Sequence, residues 1–144
     1  MYIFRYGIES FMKAMLKASE ECQNTREEEG GIIMEKDGVY EFVRVKNHYE
    51  GTDRAGGLYE TDQDEFSQLV FSRVCKAWKM HASFHTHPTF SPTPSSLDLE
   101  KLFQGFRYNV IYSASHRTFS YSQWIEDDSC VTYLPIKTIQ KLVK

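Results

Sequence analysis

The sequence is poor in the features that tie a chain to a membrane, a nucleic acid or an oxidising compartment. It has no apolar run near the roughly 20 residues that cross a bilayer as a helix, so no membrane association is expected. Seventeen basic residues against 20 acidic ones give a formal charge of −3. The lysines and arginines are scattered, with no basic patch to grip phosphates, and nucleic acid is not an expected partner. Only three cysteines occur, Cys22, Cys75 and Cys130, and none forms a C-x-x-C pair. This argues against a disulfide framework and agrees with reduced, buried thiols in a cytoplasmic protein. The opening residues, Met1 to Tyr6, lack the basic start and apolar middle of a secretory signal. There is no internal repeat and no low-complexity segment.

What is present fits one soluble domain spanning residues 1–144, with 41% hydrophobic and 26% charged residues. Its oligomeric state is not legible from composition. Ile8, Phe11, Met12, Met15 and Leu16 recur at helical spacing and predict an amphipathic helix over 9–23. Residues 31–34 and 39–45 read as two strands of a hairpin around Asp37-Gly38. Residues 48–57 are polar and glycine-containing, a loop. Phe66, Leu69, Val70, Val74, Ala77 and Trp78 predict a second apolar helical stripe, with acidic residues at its start. A strand over 80–87 follows. Three of the four prolines fall between 88 and 94, which predicts a stiff irregular loop. Ser95 or Ser96 can cap a third helix, Leu97 to Phe106. A hairpin of 108–112 with 118–121, a strand over 130–134 and a short helix from Ile136 to Val143 complete the chain. Helices alternating with strands and hairpins predict an α/β sandwich around a mixed sheet.

The chemistry concentrates in His85-Thr86-His87-Pro88, followed by Ser95 and Asp98. Two histidines at i and i+2 of a strand project from one face, with Cα atoms roughly 6.6 Å apart. Two imidazoles and a carboxylate match the ligand set of a catalytic zinc, which keeps a fourth position for water. Each residue also has a plainer role. Ser95 and Asp98 have the spacing of a reciprocal helix cap, and Pro88 bends the chain. His48 and His116 read as ordinary histidines. His81 shares strand parity with His85 and His87, so it supports the pair or is structural.

Taken together, Glu28-x-x-Gly31-Ile32-Ile33, His85-x-His87-Pro88 and, after seven residues, Ser95-x-x-Asp98 resemble the JAMM motif of the MPN+ zinc metalloproteases. The wording His-Thr-His-Pro-Thr with Ser-Ser-x-Asp-Leu is most similar to that of AMSH-type deubiquitinases. The resemblance implies the MPN fold, a cytidine deaminase-like three-layer sandwich with a central mixed sheet flanked by helices. It further implies that His85, His87 and Asp98 bind Zn²⁺, that Glu28 moves the proton of the attacking water, and that Ser95 donates to the developing oxyanion. The reaction would be hydrolysis of a peptide or isopeptide bond at a solvent-exposed cleft, in a peptide or a ubiquitin-like protein. Glu27 and Glu29 flank Glu28 and are its alternatives; strand alternation puts Glu28 on the opposite parity from both. The insertions with which AMSH-type enzymes grip ubiquitin chains have no room here, so a preference for ubiquitin does not carry over.

Two other readings compete. A non-catalytic MPN module could serve as a scaffold or sense a ubiquitin-like protein, although such members usually lack part of the motif. A zinc-dependent nucleobase deaminase needs His-x-Glu and a later Pro-Cys-x-x-Cys; here His85-x is followed by His87, and there are no paired cysteines.

Overall fold

The computed structural model describes residues 8–23, 27–47, 63–95, 98, 106–125 and 128–143. Helix α1 (Ile8–Glu21) leads into the strands β1 (Gly30–Lys36) and β2 (Val39–Val45). Helix α2 (Gln63–Val74), strand β3 (Lys79–His87) and the strands β4 (Tyr108–Ser113), β5 (Thr118–Ile125) and β6 (Asp128–Pro135) follow. Helix α3 (Ile136–Leu142) comes last. The strands form one mixed sheet in the order β2-β1-β3-β4-β5-β6. Only β3 and β4 pair in parallel; the other neighbours are antiparallel.

Alternation along the strands builds a core on each face. Ile33, Phe42, Phe84, Val110, Tyr112 and Phe119 turn to one side, where α1 covers them with Phe11, Met12 and Met15 and α3 adds Ile136 and Ile139. Ile32, Met34, Val43 and Val45 turn to the other side, under Phe66, Leu69 and Val70 of α2. Being covered on both faces explains why Gly31 to Met34 reads as a nearly unbroken apolar run rather than an alternating one. The result is the expected three-layer α/β sandwich. Among the described residues, no helix is long and apolar enough to cross a membrane.

Local chemistry accounts for the turns. Asp37 and Gly38 both have positive φ, 51° and 82°, as the tight hairpin between β1 and β2 requires. Gly31 is needed for a different reason. A Cβ there would lie 2.1 Å from the Val43 carbonyl oxygen, so only glycine lets β2 come this close.

Three expectations change. The apolar stripe of α2 ends early, because the helix stops at Val74 in a Schellman motif. The Trp78 amide donates to the Arg73 carbonyl and the Ala77 amide to the Val74 carbonyl, with Ala77 left-handed at φ 69°. Trp78 still packs beneath the helix, but Val74 is exposed. The cysteines divide as well. Cys22 is buried after α1, and burial pushes its thiol up to about 12, whereas Cys75 and Cys130 are exposed.

His81 is the third change. Register slips between Ile33, opposite Ala82, and Met34, opposite Met80, leaving His81 as the extra residue of a bulge. It therefore leaves the face of His85 and His87 and joins α1. Its ring stacks on Tyr108 at 4.8 Å and meets Phe11 and Tyr40 edge-on. Burial there holds its imidazole below the usual range. The polar loop expected over 48–57 and nearly all of the helix expected over 97–106 lie outside the described residues.

Candidate metal centre

Phe84 packs beneath α1, so alternation turns His85 and His87 to the opposite face at the end of β3. Gly30 pairs with His85 in the adjacent strand and offers no side chain to cover it. Two residues earlier on the same parity, Glu28 brings its Oε1 to 4.0 Å from His85 Nε2. Glu29 turns the other way and pairs with Arg44, itself opposite Gly31.

Asp98 arrives from the far end of the proline-rich loop. Its Oδ1 lies 3.1 Å from His85 Nε2 and its Oδ2 lies 3.1 Å from His87 Nε2. The two Nε2 atoms are 3.3 Å apart. A reciprocal cap aims the carboxylate: the Ser95 amide donates to Asp98 Oδ2 at 2.8 Å, and the Asp98 amide donates to Ser95 Oγ at 3.1 Å. The plain and the functional roles of Asp98 therefore coexist. Ser95 is exposed and is tied to the group through this cap. Glu28, His85, His87 and Asp98 are buried, between 1% and 6% exposed, so a solvent-exposed cleft does not describe their surroundings.

The donor set can be tested for fit to a cation. His87 Nδ1 lies 2.8 Å from the Ser91 carbonyl oxygen, which can only accept, so Nδ1 carries the hydrogen. In a neutral ring, Nε2 is then a lone pair, aimed at a carboxylate oxygen 3.1 Å away. Two electron-rich atoms at that distance need a proton or a cation between them. Two ligands at 2.0–2.1 Å from a tetrahedral zinc lie about 3.3 Å apart. The spacings of 3.3, 3.1 and 3.1 Å among His85, His87 and Asp98 match that triangle. Glu28, His85 and His87 also each offer a ligand atom within 4.8 Å of the others, and this group could hold a metal ion. Glu28, at 4.0 Å from His85, stands further out than Asp98.

Without a cation the charges are strained. Burial pushes the Glu28 carboxyl up to about 8; His87 draws it down and Asp98 pushes it up again. Burial alone would also raise Asp98, but hydrogen bonds from His85 and His87 outweigh it and hold that carboxyl well below the usual range. Burial lowers His87, yet its bonds to Asp98 and to the Ser91 carbonyl leave it raised.

The sign of the pH effect follows. Raised groups contribute stability that is complete below their unfolded pKa, about 4.5 for Glu28, and is lost as pH climbs through the folded value of about 8. His87 acts in the same direction above its usual 6.5, whereas Asp98 withdraws its contribution only below its usual 3.8. Metal-stripped protein is therefore expected to lose stability from pH 5 to pH 9, by on the order of several kcal/mol. Thermal unfolding across that range checks it. Glu28→Gln should flatten the slope, and a wild-type midpoint that rises with pH contradicts this account.

Comparison with known proteins now bears on this geometry. The family described as prokaryotic homologues of the JAB domain matches residues 11–125, from α1 to the end of β5. The chain belongs to the prokaryotic JAB family. Its fold is also similar to that of a protein from Desulfitobacterium hafniense solved in solution, with 18% identity over 84% of each chain and a TM-score of 0.54. No curated protein sequence matches the chain significantly. The histidine pair, Glu28 and Asp98 thus sit together at the end of β3 in a JAB domain.

Sequence reasoning passed over the groups that hold this JAB site in place. Ser113 donates to the Phe90 carbonyl, Ser120 donates to the Pro92 carbonyl at 2.6 Å, and Thr93 meets the Tyr133 hydroxyl at 3.0 Å. These bonds fasten the proline-rich loop, and with it the Ser91 carbonyl that sets the His87 tautomer, across β4, β5 and β6. The available signal was small polar residues where an apolar face is expected: Ser83, Asn109, Ser113, Ser120 and Ser122 are all buried on strands.

Proposed function

We propose that this JAB domain is a zinc-dependent hydrolase of peptide or isopeptide bonds, acting on a peptide or a ubiquitin-like protein. The observation that carries the reading is His87 Nε2 aimed at the Asp98 carboxylate while Nδ1 is committed to the Ser91 carbonyl, with His85 Nε2 completing a triangle of zinc-ligand size. His85, His87 and Asp98 would hold the ion. A zinc ion bound there supplies an acidified water and a Lewis acid for the scissile carbonyl.

The chain's own residues do the rest. Glu28 receives the proton of the attacking water and passes it to the leaving amine, and its burial keeps that proton transfer away from bulk solvent. Cation binding favours its charged form and brings it down from the high value of the metal-free state. Ser95 Oγ accepts from the Asp98 amide and still carries a hydrogen, which it gives to the oxyanion. Asp98, fixed by the cap, and His87, fixed by Ser91, cost no reorganisation when the ion enters.

The similarity to AMSH-type enzymes rests on residues 85–98 alone, and ubiquitin is not part of this proposal. A panel of peptide and isopeptide substrates tests the reading, with purified protein assayed before and after chelation and after zinc is restored. Cleavage that disappears with the metal and returns with it supports the hydrolase. The burial of all four groups gives the second reading, a non-catalytic binding module, its foothold. A zinc-loaded protein that cleaves nothing in the panel favours that module.

A further inference from the structure

We infer that Thr86, the residue between the two histidines, is a positioning residue for Glu28; this rests on the hydrolase reading above. An antiparallel hydrogen-bonded pair normally exchanges two backbone bonds. Where β1 and β3 meet, the register pairs Gly30 with His85 and brings Glu29 beside Thr86. The Thr86 amide donates to the Glu29 carbonyl at 2.8 Å, as the ladder requires. The return bond is different: the Glu29 amide donates to Thr86 Oγ1 at 2.9 Å. The threonine side chain has replaced a backbone carbonyl, so regular pairing ends while the chain stays held at two points.

That hold lies one residue from Glu28, just before β1 begins at Gly30. Thr86 is 1% exposed, so water does not compete for the bond. A second contact fixes the same stretch: Asn47 Nδ2 donates to the Glu28 carbonyl at 2.8 Å. The peptide group that joins Glu28 to Glu29 is thereby held at both its carbonyl and its amide, the amide by the strand that carries the histidines. The separation of 4.0 Å between Glu28 Oε1 and His85 Nε2 is set through this clamp. Thr86 thus serves both halves of the site: its backbone spaces the imidazoles along β3, and its hydroxyl registers β1 against them.

Thr86→Val keeps the branched shape and removes the acceptor, and Thr86→Ser keeps the acceptor. In zinc-loaded enzyme, Thr86→Val is expected to lower kcat by about 10- to 100-fold, with zinc content unchanged and KM within about threefold. Thr86→Ser should restore kcat to within a few-fold of wild type. Independently of activity, hydrogen exchange at the Glu29 amide, followed by NMR, should speed up by about tenfold or more in Thr86→Val and not in Thr86→Ser. Unchanged kcat in Thr86→Val overturns the positioning role and leaves the hydrolase reading standing. A kcat loss that tracks lost zinc, or one that serine fails to restore, overturns it too. No metal-dependent cleavage by the wild-type chain removes the hydrolase reading, and this inference with it.

Discussion

Replacing His87 with alanine is expected to empty the metal site and abolish turnover. The ring has two tasks that no neighbour can take over. Its Nε2 stands 3.3 Å from His85 Nε2 and 3.1 Å from Asp98 Oδ2, while Nδ1 holds the Ser91 carbonyl. Without it, one imidazole and one carboxylate remain, short of the three protein ligands a catalytic zinc keeps. Zinc per chain should fall from about one to less than a tenth. Hydrolysis should fall by about 10³-fold or more, since the ion's charge stabilisation is worth several kcal/mol. The unfolding temperature provides a second measurement. Added zinc should raise it in the wild-type protein, because a ligand that binds only the folded state stabilises it, and should leave His87→Ala unmoved. Full zinc occupancy in the variant means that the ligands lie elsewhere.

The same ring shows how far sequence reasoning reaches. Offsets within 85–98 are short, and a strand followed by a reciprocal Ser95–Asp98 pair has few ways to arrange them, so the histidines and Asp98 could be grouped from the string alone. Glu28 needed a long-range argument, and hydrophobic register supplied it. With Ile32 and Met34 on one face, Glu28 shares their parity and Glu29 does not, which is how the two side chains divide between His85 and Arg44. His81 is structural, one of the two roles open to it, but its parity with His85 misled for the complementary reason. Parity counts only while the ladder is regular, and the extra residue between Ala82 and Met80 moves that ring to the other face. The end of α2 was equally hidden, because the left-handed position holds Ala77 rather than glycine. The supports of the loop were hidden longest. Ser113 and Ser120 lie 23 and 28 residues from Phe90 and Pro92, outside any local pattern, and meet them only through sheet topology.

Glu28→Gln separates metal binding from proton transfer, and the expected result is retained zinc with kcat reduced by about 10²- to 10⁴-fold. Glutamine keeps the length and much of the hydrogen-bonding capacity of the side chain but cannot take a proton from water. Metal content should hold because Glu28 Oε1 lies 4.0 Å from His85 Nε2, whereas Asp98 approaches both rings to 3.1 Å. The substitution should also raise the stability of metal-free protein at neutral pH, where the folded carboxyl, with a pKa of about 8, must hold a proton that the unfolded chain has released. Lost turnover with gained stability marks a group kept for chemistry rather than for folding. Glu29→Gln is the control. It changes the carboxylate paired with Arg44 on the far side of β1 and leaves the Glu29 amide on Thr86, so kcat should stay within a few-fold of wild type. If Glu28→Gln instead loses its zinc, Glu28 is itself a ligand, as its place within 4.8 Å of both histidine donors would allow, and the base must be sought among its neighbours.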